Sequence, residues 1–334
     1  MNDSSILEID DLFVEFHGDE GVAKAVNGVS FSVEEGQSIG IVGESGCGKS
    51  VSAFSILRLL ADTARITDGT ILYRESDGSI TDLATLDPDG ERIRDIRGNQ
   101  ISMIFQEPMT AFSPVHSINN QISELLILHR GMTKPEAKKE SIELLRRVGI
   151  PDPEHRVDDY TFQFSGGMRQ RAMIAMGIAC SPRILVADEP TTALDVTLQA
   201  QVLKMIKEMQ NQLNLSLILI THDLSIISKM VDHVNVMYLG KIVESAPVRE
   251  MFNNPKHPYT RNLLKSIPRM TGQGERLHTI EGTVPTTYLL PEGCPFHPRC
   301  EAMIEGKCNV QVPQKSAIAD NHYVFCHLYE QDQI

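Results

Sequence analysis

The sequence has no excess of positive charge. Its 31 lysines and arginines are outnumbered by 44 aspartates and glutamates, which gives a formal net charge of −13. A protein whose main partner is nucleic acid needs a basic face for the phosphate backbone, so this balance argues against that class of function. A local basic patch is still compatible with the acidic total.

Long hydrophobic runs are missing as well. The longest aliphatic stretch, residues 217–220, is far shorter than the roughly 20 apolar residues that span a bilayer. Residues 1–5 carry neither the positive charges nor the apolar segment of a secretory signal. We therefore expect a cytosolic chain that does not cross a membrane by itself.

Cysteine is scarce and unevenly placed. Cys47 and Cys180 are isolated, and the other four crowd towards the C-terminus: Cys294, Cys300, Cys308 and Cys326. In a cytosolic chain such a cluster is more typical of metal binding than of disulfides. Four thiolates can enclose zinc or an iron–sulfur cluster, although the tight C-x2-C pairs of zinc ribbons are lacking. The residues alone leave zinc, iron–sulfur and free thiols open.

Apolar strands that alternate with amphipathic helices are present. Residues 6–16 alternate only partly and predict an edge strand. Further strands are predicted at residues 25–33, 38–42, 101–105, 184–187 and 215–220. Helical spacing marks residues 51–60, 118–148 with a break near Gly131, 171–180 and 196–213, whereas residues 62–100 indicate short strands and turns. This order predicts an α/β fold with a parallel sheet.

The most specific motif is a glycine-rich loop. Residues 43–50, GESGCGKS, fit G-x-x-x-x-G-K-[ST] at every fixed position, between an apolar strand and a helix. Glycines let backbone N–H groups curl around phosphates, and the helix start adds further N–H groups and a positive dipole end. Lys49 supplies a cation and the Ser50 hydroxyl a Mg²⁺ ligand. The flanking elements argue against a chance turn.

Two acidic residues end a later apolar strand. Asp188 and Glu189 follow residues 184–187 directly, at the strand end where α/β sheets bind ligands. Asp188 is suited to hold Mg²⁺ and Glu189 to polarise an attacking water. Solvated acids at a strand end are the alternative, and the phosphate loop earlier in the chain disfavours it.

The order of these motifs resembles that of the nucleotide-binding subunits of ATP-binding cassette (ABC) transporters, over about residues 5–250. Gln106 matches the Q-loop glutamine, residues 165–168 the signature, residues 193–195 the D-loop and His222 the switch histidine. The resemblance implies catalytic roles for Glu189, His222 and Gln106, and Mg²⁺ ligation by Ser50, Gln106 and Asp188. It implies nucleotide contacts by Phe16 (with His17 as the alternative), Gly43, Glu44, Ser45, Gly46, Cys47, Gly48, Lys49, Ser50, Val51, Ser165, Gly166, Gly167, Met168 and Asp195.

The resemblance also implies a fold and a mechanism. The fold is a P-loop NTPase (RecA-like) core with an N-terminal antiparallel β subdomain at residues 1–106 and 166–254, and a helical subdomain at 107–165. Two cassettes pair head to tail, identical or paralogous, so that each ATP lies between one phosphate loop and the other signature. ATP closes this pair and hydrolysis lets it open.

Residues 255–334 are predicted to form a small Cys-rich extension. Residues 255–268 resemble the segment that follows the cassette in the oligopeptide, dipeptide and nickel importer branch. Members of that branch with the same cysteine spacing carry a [4Fe-4S] cluster, which favours iron over zinc at Cys294, Cys300, Cys308 and Cys326. The cluster is interpreted as a structural staple.

The resulting hypothesis is an ATPase that powers import of di- or oligopeptides. The implied partners are ATP with Mg²⁺, two transmembrane permeases, a second cassette and, through the permeases, an extracytoplasmic binding protein. We expect it peripherally at the cytoplasmic face of the inner membrane, with a permease helix docked near residues 106–117. Import of nickel or oligosaccharides is the alternative within the branch. A soluble ATPase of DNA repair or ribosomes is disfavoured by the single cassette and the acidic charge.

Overall fold

The computed structural model describes residues 1, 4–192, 194–267 and 280–330. The chain divides into two compact units. The first unit consists of Met1–Val33, Ser38–Thr85 and Ile220–Ile334, and the second unit of Glu34–Gln37 and Leu86–Leu219. Among the helices that this description covers, none combines the length and apolar character that a bilayer crossing requires.

The first unit contains a four-stranded sheet. Its strands, in the spatial order β2-β1-β4-β5, are β2 (Gly21–Glu34), β1 (Ser5–Gly18), β4 (Ala64–Arg74) and β5 (Ile80–Asp82). The pairings of β1 with β4 and of β4 with β5 are antiparallel. The predicted edge position of β1 is therefore wrong. Its interrupted alternation marks a bulge at Asp11, where φ is +48°, and the register shifts between Asp10 and Phe13.

The same unit carries a mixed sheet. Here the strand order is β11-β12-β10-β9-β3, with β3 (Ser38–Val42), β9 (His233–Tyr238), β10 (Lys241–Pro247), β11 (Lys315–Ala319) and β12 (His322–Phe325). β3 and β9 are parallel, and the other pairs are antiparallel. Strands from the C-terminal extension thus continue the sheet that leads into the phosphate loop.

The helices among the described residues of the first unit are α1 (Lys49–Ile56), α9 (Leu224–Met230), α10 (Val248–Asn253) and α11 (Pro258–Lys265). The helix predicted over residues 51–60 is confirmed, but it ends at Ile56. The chain leaves the helix at Leu57 and enters the left-handed region at Arg58, whose φ is +55°. Such a residue just beyond a helix terminates it.

In the second unit the strand order is β8-β7-β6. Its strands are β8 (Ser216–Thr221, whose last two residues belong to the first unit), β7 (Ile184–Asp188) and β6 (Ile101–Ile104). All three strands are buried along their whole length, and β6 and β7 are parallel. Continuous apolar runs are typical of such strands, which is why the sequence revealed them.

The helices of the second unit are set by their caps. They are α2 (Glu91–Ile96), α3 (Pro108–Ala111), α4 (Ile118–Arg130), α5 (Lys134–Arg147), α6 (Pro153–Arg156), α7 (Gly166–Ile178) and α8 (Val196–Leu213). Ser117 begins α4, Gly131 in the left-handed region ends it, and Thr133 with Glu136 forms a capping box for α5. The predicted break near Gly131 is thereby confirmed.

Candidate nucleotide site

The first unit carries the phosphate loop between β3 and α1. Gly48 has φ +101°, and a Cβ there would lie 2.2 Å from the carbonyl oxygen of Ala25. A Cβ at Gly43 would lie 2.1 Å from the carbonyl oxygen of Met237. At Gly46 a Cβ would meet no heavy atom within 4 Å. The loop is therefore pressed against the protein at Gly43 and Gly48, and it is open at Gly46, where a ligand can approach the backbone.

Lys49 is held inside the curl of this loop. Its side chain Nζ donates to the carbonyl oxygens of Gly43 (2.9 Å) and Glu44 (3.0 Å), and the residue is only 5% exposed. The Cys47 thiol also lies in the curl, and burial raises its pKa, so it stays protonated at neutral pH. The loop thus offers one cation that can leave backbone carbonyls for an anion.

Other predicted residues of the first unit lie at element ends. Ser50 is the second residue of α1, and it is half-buried. Phe16 lies near the end of β1 opposite Ala64 of β4 and is half-buried, whereas His17 is exposed. His222 directly follows β8 and is exposed; the next residue, Asp223, caps α9 by accepting from the Ser225 N–H at 2.8 Å.

The second unit carries the paired carboxylates. Asp188 is the last residue of β7 and is 1% exposed. Glu189 follows in the left-handed region with φ +45°. Its Oε2 accepts from Gln106 Nε2 at 3.1 Å and from Thr192 Oγ1 at 2.8 Å. The structure thus brings the Q-loop glutamine and the predicted catalytic glutamate together, and Thr192 is a third member that the sequence analysis missed.

The signature segment begins α7 in the second unit. Ser165 accepts a hydrogen bond from the Met168 N–H at 3.3 Å and so caps the helix. A Cβ at Gly166 would meet nothing within 4 Å, whereas one at Gly167 would lie 3.3 Å from Leu198 of α8. Asp195 caps α8 by accepting from two N–H groups. Gly166 therefore leaves the helix start open to an anion.

Gln170 is a buried residue that the motif analysis did not assign. It is 1% exposed, and its Nε2 donates to the carbonyl oxygen of Pro190 at 2.6 Å. This bond joins the signature helix to the residue that follows Glu189. The only signal in the sequence is a glutamine on the buried face of a helix, and such a side chain needs a partner.

The four C-terminal cysteines lie in the first unit as free thiols. Cys294, Cys308 and Cys326 are buried and Cys300 is half-buried. The Cys294 N–H donates to the Cys308 carbonyl oxygen at 2.8 Å. Burial, together with the other three thiols, raises the pKa of Cys294 to about 12, and burial raises the pKa of Cys326 to about 11. The Cys294 and Cys326 thiols therefore stay protonated at neutral pH.

As the side chains stand, they do not enclose an ion. Within residues 1, 4–192, 194–267 and 280–330, no group of three or more histidine, cysteine, aspartate or glutamate side chains is arranged to hold a metal. His297 lies inside the first cysteine loop, and its Nδ1 donates to the Cys294 carbonyl oxygen at 2.9 Å. It therefore supports the loop backbone.

Comparison with known proteins adds to this geometry. The family model described as "ABC transporter" matches residues 26–192, and the model described as "Oligopeptide/dipeptide transporter, C-terminal region" matches residues 243–308. The chain is 46% identical to the dipeptide transport ATP-binding protein DppD of Bacillus subtilis, over 98% of this chain and 95% of that protein. It is 44% identical to the oligopeptide transport ATP-binding protein AppD of the same organism, over 98% of both.

Solved structures agree on the fold. A dimeric bacterial ABC transporter cassette superimposes with a TM-score of 0.63 at 24% identity, over 73% of this chain and 99% of the other. The cbiO1 protein of Clostridium perfringens, part of an ABC transporter complex, superimposes with a TM-score of 0.60 at 25% identity, over 75% and 92%. These matches confirm the predicted cassette fold. The chain therefore belongs to the family of ABC transporter ATP-hydrolysing subunits and carries the C-terminal region of the oligopeptide/dipeptide branch.

Proposed function

We propose that this protein powers the import of di- or oligopeptides through a membrane ABC transporter. The observation that carries the proposal is similarity over nearly the full chain, extension included, to two proteins named for dipeptide and oligopeptide transport. The cassette accounts for ATP as the energy source, and the C-terminal extension supports the oligopeptide/dipeptide branch. The cargo itself is selected by other subunits.

The phosphate loop is proposed to bind the ATP triphosphate. Gly46 leaves the backbone open to phosphate oxygens, and Lys49 exchanges the carbonyls of Gly43 and Glu44 for them. Ser50 and Asp188 offer the hard oxygen ligands that Mg²⁺ prefers, and the ion neutralises charge on the phosphates when it is bound. Phe16 is proposed to stack on the adenine.

Hydrolysis is assigned to Glu189, Gln106 and His222. A carboxylate that accepts from Gln106 and Thr192 is held in one orientation, as a residue that orients an attacking water must be. His222 is assigned a contact to the γ-phosphate. The signature of a second cassette, from Ser165 to Met168, completes each site, so that ATP binding closes the pair and hydrolysis opens it.

A groove on the second unit is proposed to receive a cytoplasmic helix of a permease. It has a volume of about 580 Å³ and is lined by residues of α4 and its flanks: His116, Asn119, Asn120, Ser123, Glu124, Ile127, Leu128 and Lys134. Leu128 is 69% exposed and Val115, beside the groove, 74% exposed. Exposed apolar side chains around a groove mark an interaction surface. The groove extends the predicted docking segment at residues 106–117 along α4.

The experiment that tests the import function is a pull-down of tagged protein from its native membranes in mild detergent. Recovery of two permeases and a peptide-binding protein, identified by mass spectrometry, supports the proposal. A nickel- or sugar-binding protein instead identifies the alternative cargo. Recovery with ribosomes or repair factors and without permeases contradicts transport. Leu128→Asp is expected to lose the permeases, and Leu59→Asp, which changes an exposed leucine outside the groove, is its control.

We infer in addition that Cys294, Cys300, Cys308 and Cys326 hold a [4Fe-4S] cluster, with zinc as the alternative. The set of four thiol donors and the backbone hydrogen bond between Cys294 and Cys308 support this, although the side chains do not enclose an ion. A metal assay therefore decides. Iron with acid-labile sulfide in anaerobically purified protein supports the cluster, zinc without sulfide supports the alternative, and neither metal leaves free thiols.

A further inference from the structure

The C-terminal extension contacts the phosphate loop at one residue, Glu44, in two independent ways. The Glu44 backbone N–H donates to the hydroxyl oxygen of Tyr259, in α11, at 2.9 Å. The Glu44 carboxylate accepts from both Nη atoms of Arg299, at 2.7 and 3.1 Å. Arg299 ends a short 3-10 turn, His297–Arg299, that lies between Cys294 and Cys300. Main chain and side chain of Glu44 are thus both held by the extension.

These contacts are partly sheltered from water. Tyr259 is fully buried, the Arg299 side chain is 4% exposed, and the Glu44 side chain is 24% exposed. A paired arginine–carboxylate contact of this kind fixes geometry as well as charge, and shelter reduces its screening. Burial raises the pKa of the Tyr259 hydroxyl, so that it stays neutral and accepts the N–H.

Arg299 is itself held rigidly. Its Nε donates to the Glu281 carbonyl oxygen at 3.1 Å and its Nη2 to the Ile280 carbonyl oxygen at 3.3 Å. Beside it, the Phe296 ring packs against the rings of Tyr238 and Tyr259, with centroids 5.3 Å apart in both cases. An arginine anchored by backbone carbonyls and an aromatic cluster loses little further freedom when it binds a carboxylate.

Glu44 is also in contact with the central cation of the loop. Its carbonyl oxygen accepts from Lys49 Nζ at 3.0 Å, while its N–H points to Tyr259. The peptide groups of Glu44 therefore lie between the extension and Lys49. A loop that is already curled loses less conformational entropy when it binds phosphate, so that its affinity for phosphate is higher.

We propose that Arg299 and Tyr259 are positioning residues for ATP binding, through which the C-terminal extension holds the phosphate loop in its receptive curl. The inference rests on the proposed role of the loop in ATP binding. It assigns the extension a part in the nucleotide site of its own chain. It places the effect on nucleotide affinity, since the residue that Arg299 and Tyr259 hold, Glu44, belongs to the phosphate loop.

The test compares the full-length chain with Arg299→Ala and Arg299→Lys. We expect Arg299→Ala to weaken ATP binding about tenfold, because the half-buried Glu44 carboxylate loses its partner and the loop loosens. KM for ATP rises in parallel and kcat changes less than about twofold. Amide hydrogen exchange of residues 43–48 becomes faster. Arg299→Lys keeps the positive charge but loses the paired N–H donors of the guanidinium group. We therefore expect its ATP affinity to lie between those of the unaltered chain and of Arg299→Ala.

Two further variants report on the same contact with less risk to folding. Glu44→Gln removes the charge and keeps the shape, and it is expected to weaken ATP binding and quicken loop exchange as Arg299→Ala does. Tyr259→Phe removes only the acceptor of the Glu44 N–H, so that exchange at this amide rises selectively. Lys307→Ala is the matched control, since it breaks an ion pair with Glu330 (3.1 Å) within the same extension.

The outcomes separate this inference from the proposed function. If Arg299→Ala and Glu44→Gln match Lys307→Ala in ATP affinity and in loop exchange, the positioning role is overturned. If the unaltered chain binds no ATP, or Lys49→Ala binds it equally well, the assignment of the phosphate loop is at fault. Should Arg299→Ala fail to fold, Glu44→Gln decides by ATP affinity and loop exchange, and Tyr259→Phe by exchange of the Glu44 amide.

Discussion

Glu189 occupies an unusual backbone conformation. Its φ of +45° lies in the left-handed region, which a side chain with a Cβ rarely adopts. Gln106 and Thr192 both donate to its carboxylate. Backbone strain of this sort is retained where a side chain must be aimed, which is consistent with the catalytic role proposed for Glu189.

Glu189→Gln is therefore expected to bind ATP with affinity close to that of the unaltered chain and to hydrolyse it at least about a hundredfold more slowly. The amide keeps the size of the side chain but cannot polarise water as a carboxylate does. Equilibrium ATP binding and phosphate release measure the two effects. Glu208→Gln, on the exposed face of α8, is the control. Unchanged phosphate release from the Glu189 variant would refute the assignment.

At this scale the sequence predicted what is local. The phosphate loop and the carboxylates at the end of β7 follow from contiguous motifs. Gln170 was missed because its partner, the Pro190 carbonyl oxygen, is set by tertiary packing, and Thr192 was missed because no motif assigns the residue three positions after Glu189. The contact of Arg299 with Glu44 joins positions 255 residues apart, and no spacing rule links such positions.

Among the helices, α11 depends on a buried histidine. His257 caps it by accepting from the Tyr259 N–H at 3.1 Å, and burial lowers the pKa of His257 to about 3. Above the ordinary histidine pKa of about 6.5 both folded and unfolded states are neutral. Below about pH 6.5, only the unfolded state takes up the proton. The free energy of unfolding therefore decreases as the pH is lowered, until the folded state is also protonated near pH 3.

We expect this histidine alone to lower the free energy of unfolding by about 1.4 kcal/mol for each pH unit below about 6.5. His257→Asn preserves a capping side chain and does not titrate. Urea unfolding at about pH 7 and about pH 5 measures the difference, which should be smaller in the variant by roughly 2 kcal/mol. An exposed histidine, His155, provides the control substitution. Equal pH dependence in both chains would contradict the prediction.

The extension is joined to the mixed sheet by a buried carboxylate. Glu244 in β10 is fully buried and accepts from the N–H groups of Lys256 (2.7 Å) and His257 (2.8 Å) and from His322 Nε2 (3.0 Å). Glu244→Ala leaves these donors unpaired and should lower the free energy of unfolding by about 3 kcal/mol. Glu208→Ala, which breaks only an exposed pair with Lys204, should cost less than about 0.5 kcal/mol. Urea unfolding compares them, and a similar loss in both would show that the buried network adds nothing.

Elements were predictable in proportion to their periodicity. The long amphipathic helices α4, α5 and α8 and the apolar strands β3, β7 and β8 appear close to the predicted bounds. The six-residue helix α2 was missed because only Ile93 and Ile96 mark its buried face. The edge position of β1 was wrong because a bulge and an open edge both interrupt alternation.

For the whole chain, the predicted α/β cassette is confirmed, and the model of the oligopeptide/dipeptide transporter C-terminal region matches residues 243–308. The path of the extension was not predictable. β12 joins β10 through pairs such as Glu244 with Val324, and short half-buried strands give no sign of a distant partner. The cysteine spacing predicted a metal site in the extension. The packing of Phe296 against Tyr238 and Tyr259 was not predicted, because these residues are brought together only by the fold.

Pairing of two cassettes around ATP is the remaining proposal at this scale. The hydrolysis-defective Glu189→Gln chain should form a dimer with ATP and stay monomeric with ADP, as measured by sedimentation. Adding Gly166→Glu should abolish the dimer. The Cβ of the new glutamate enters open space, and an acidic residue stabilises the first turn of a helix, so α7 is preserved. The added negative charge repels the γ-phosphate of the ATP bound to the second cassette. Gln212→Glu adds the same charge on an exposed position of α8 and should still dimerise. If Gly166→Glu dimerises equally well, the signature does not face the second nucleotide, and the head-to-tail arrangement is wrong.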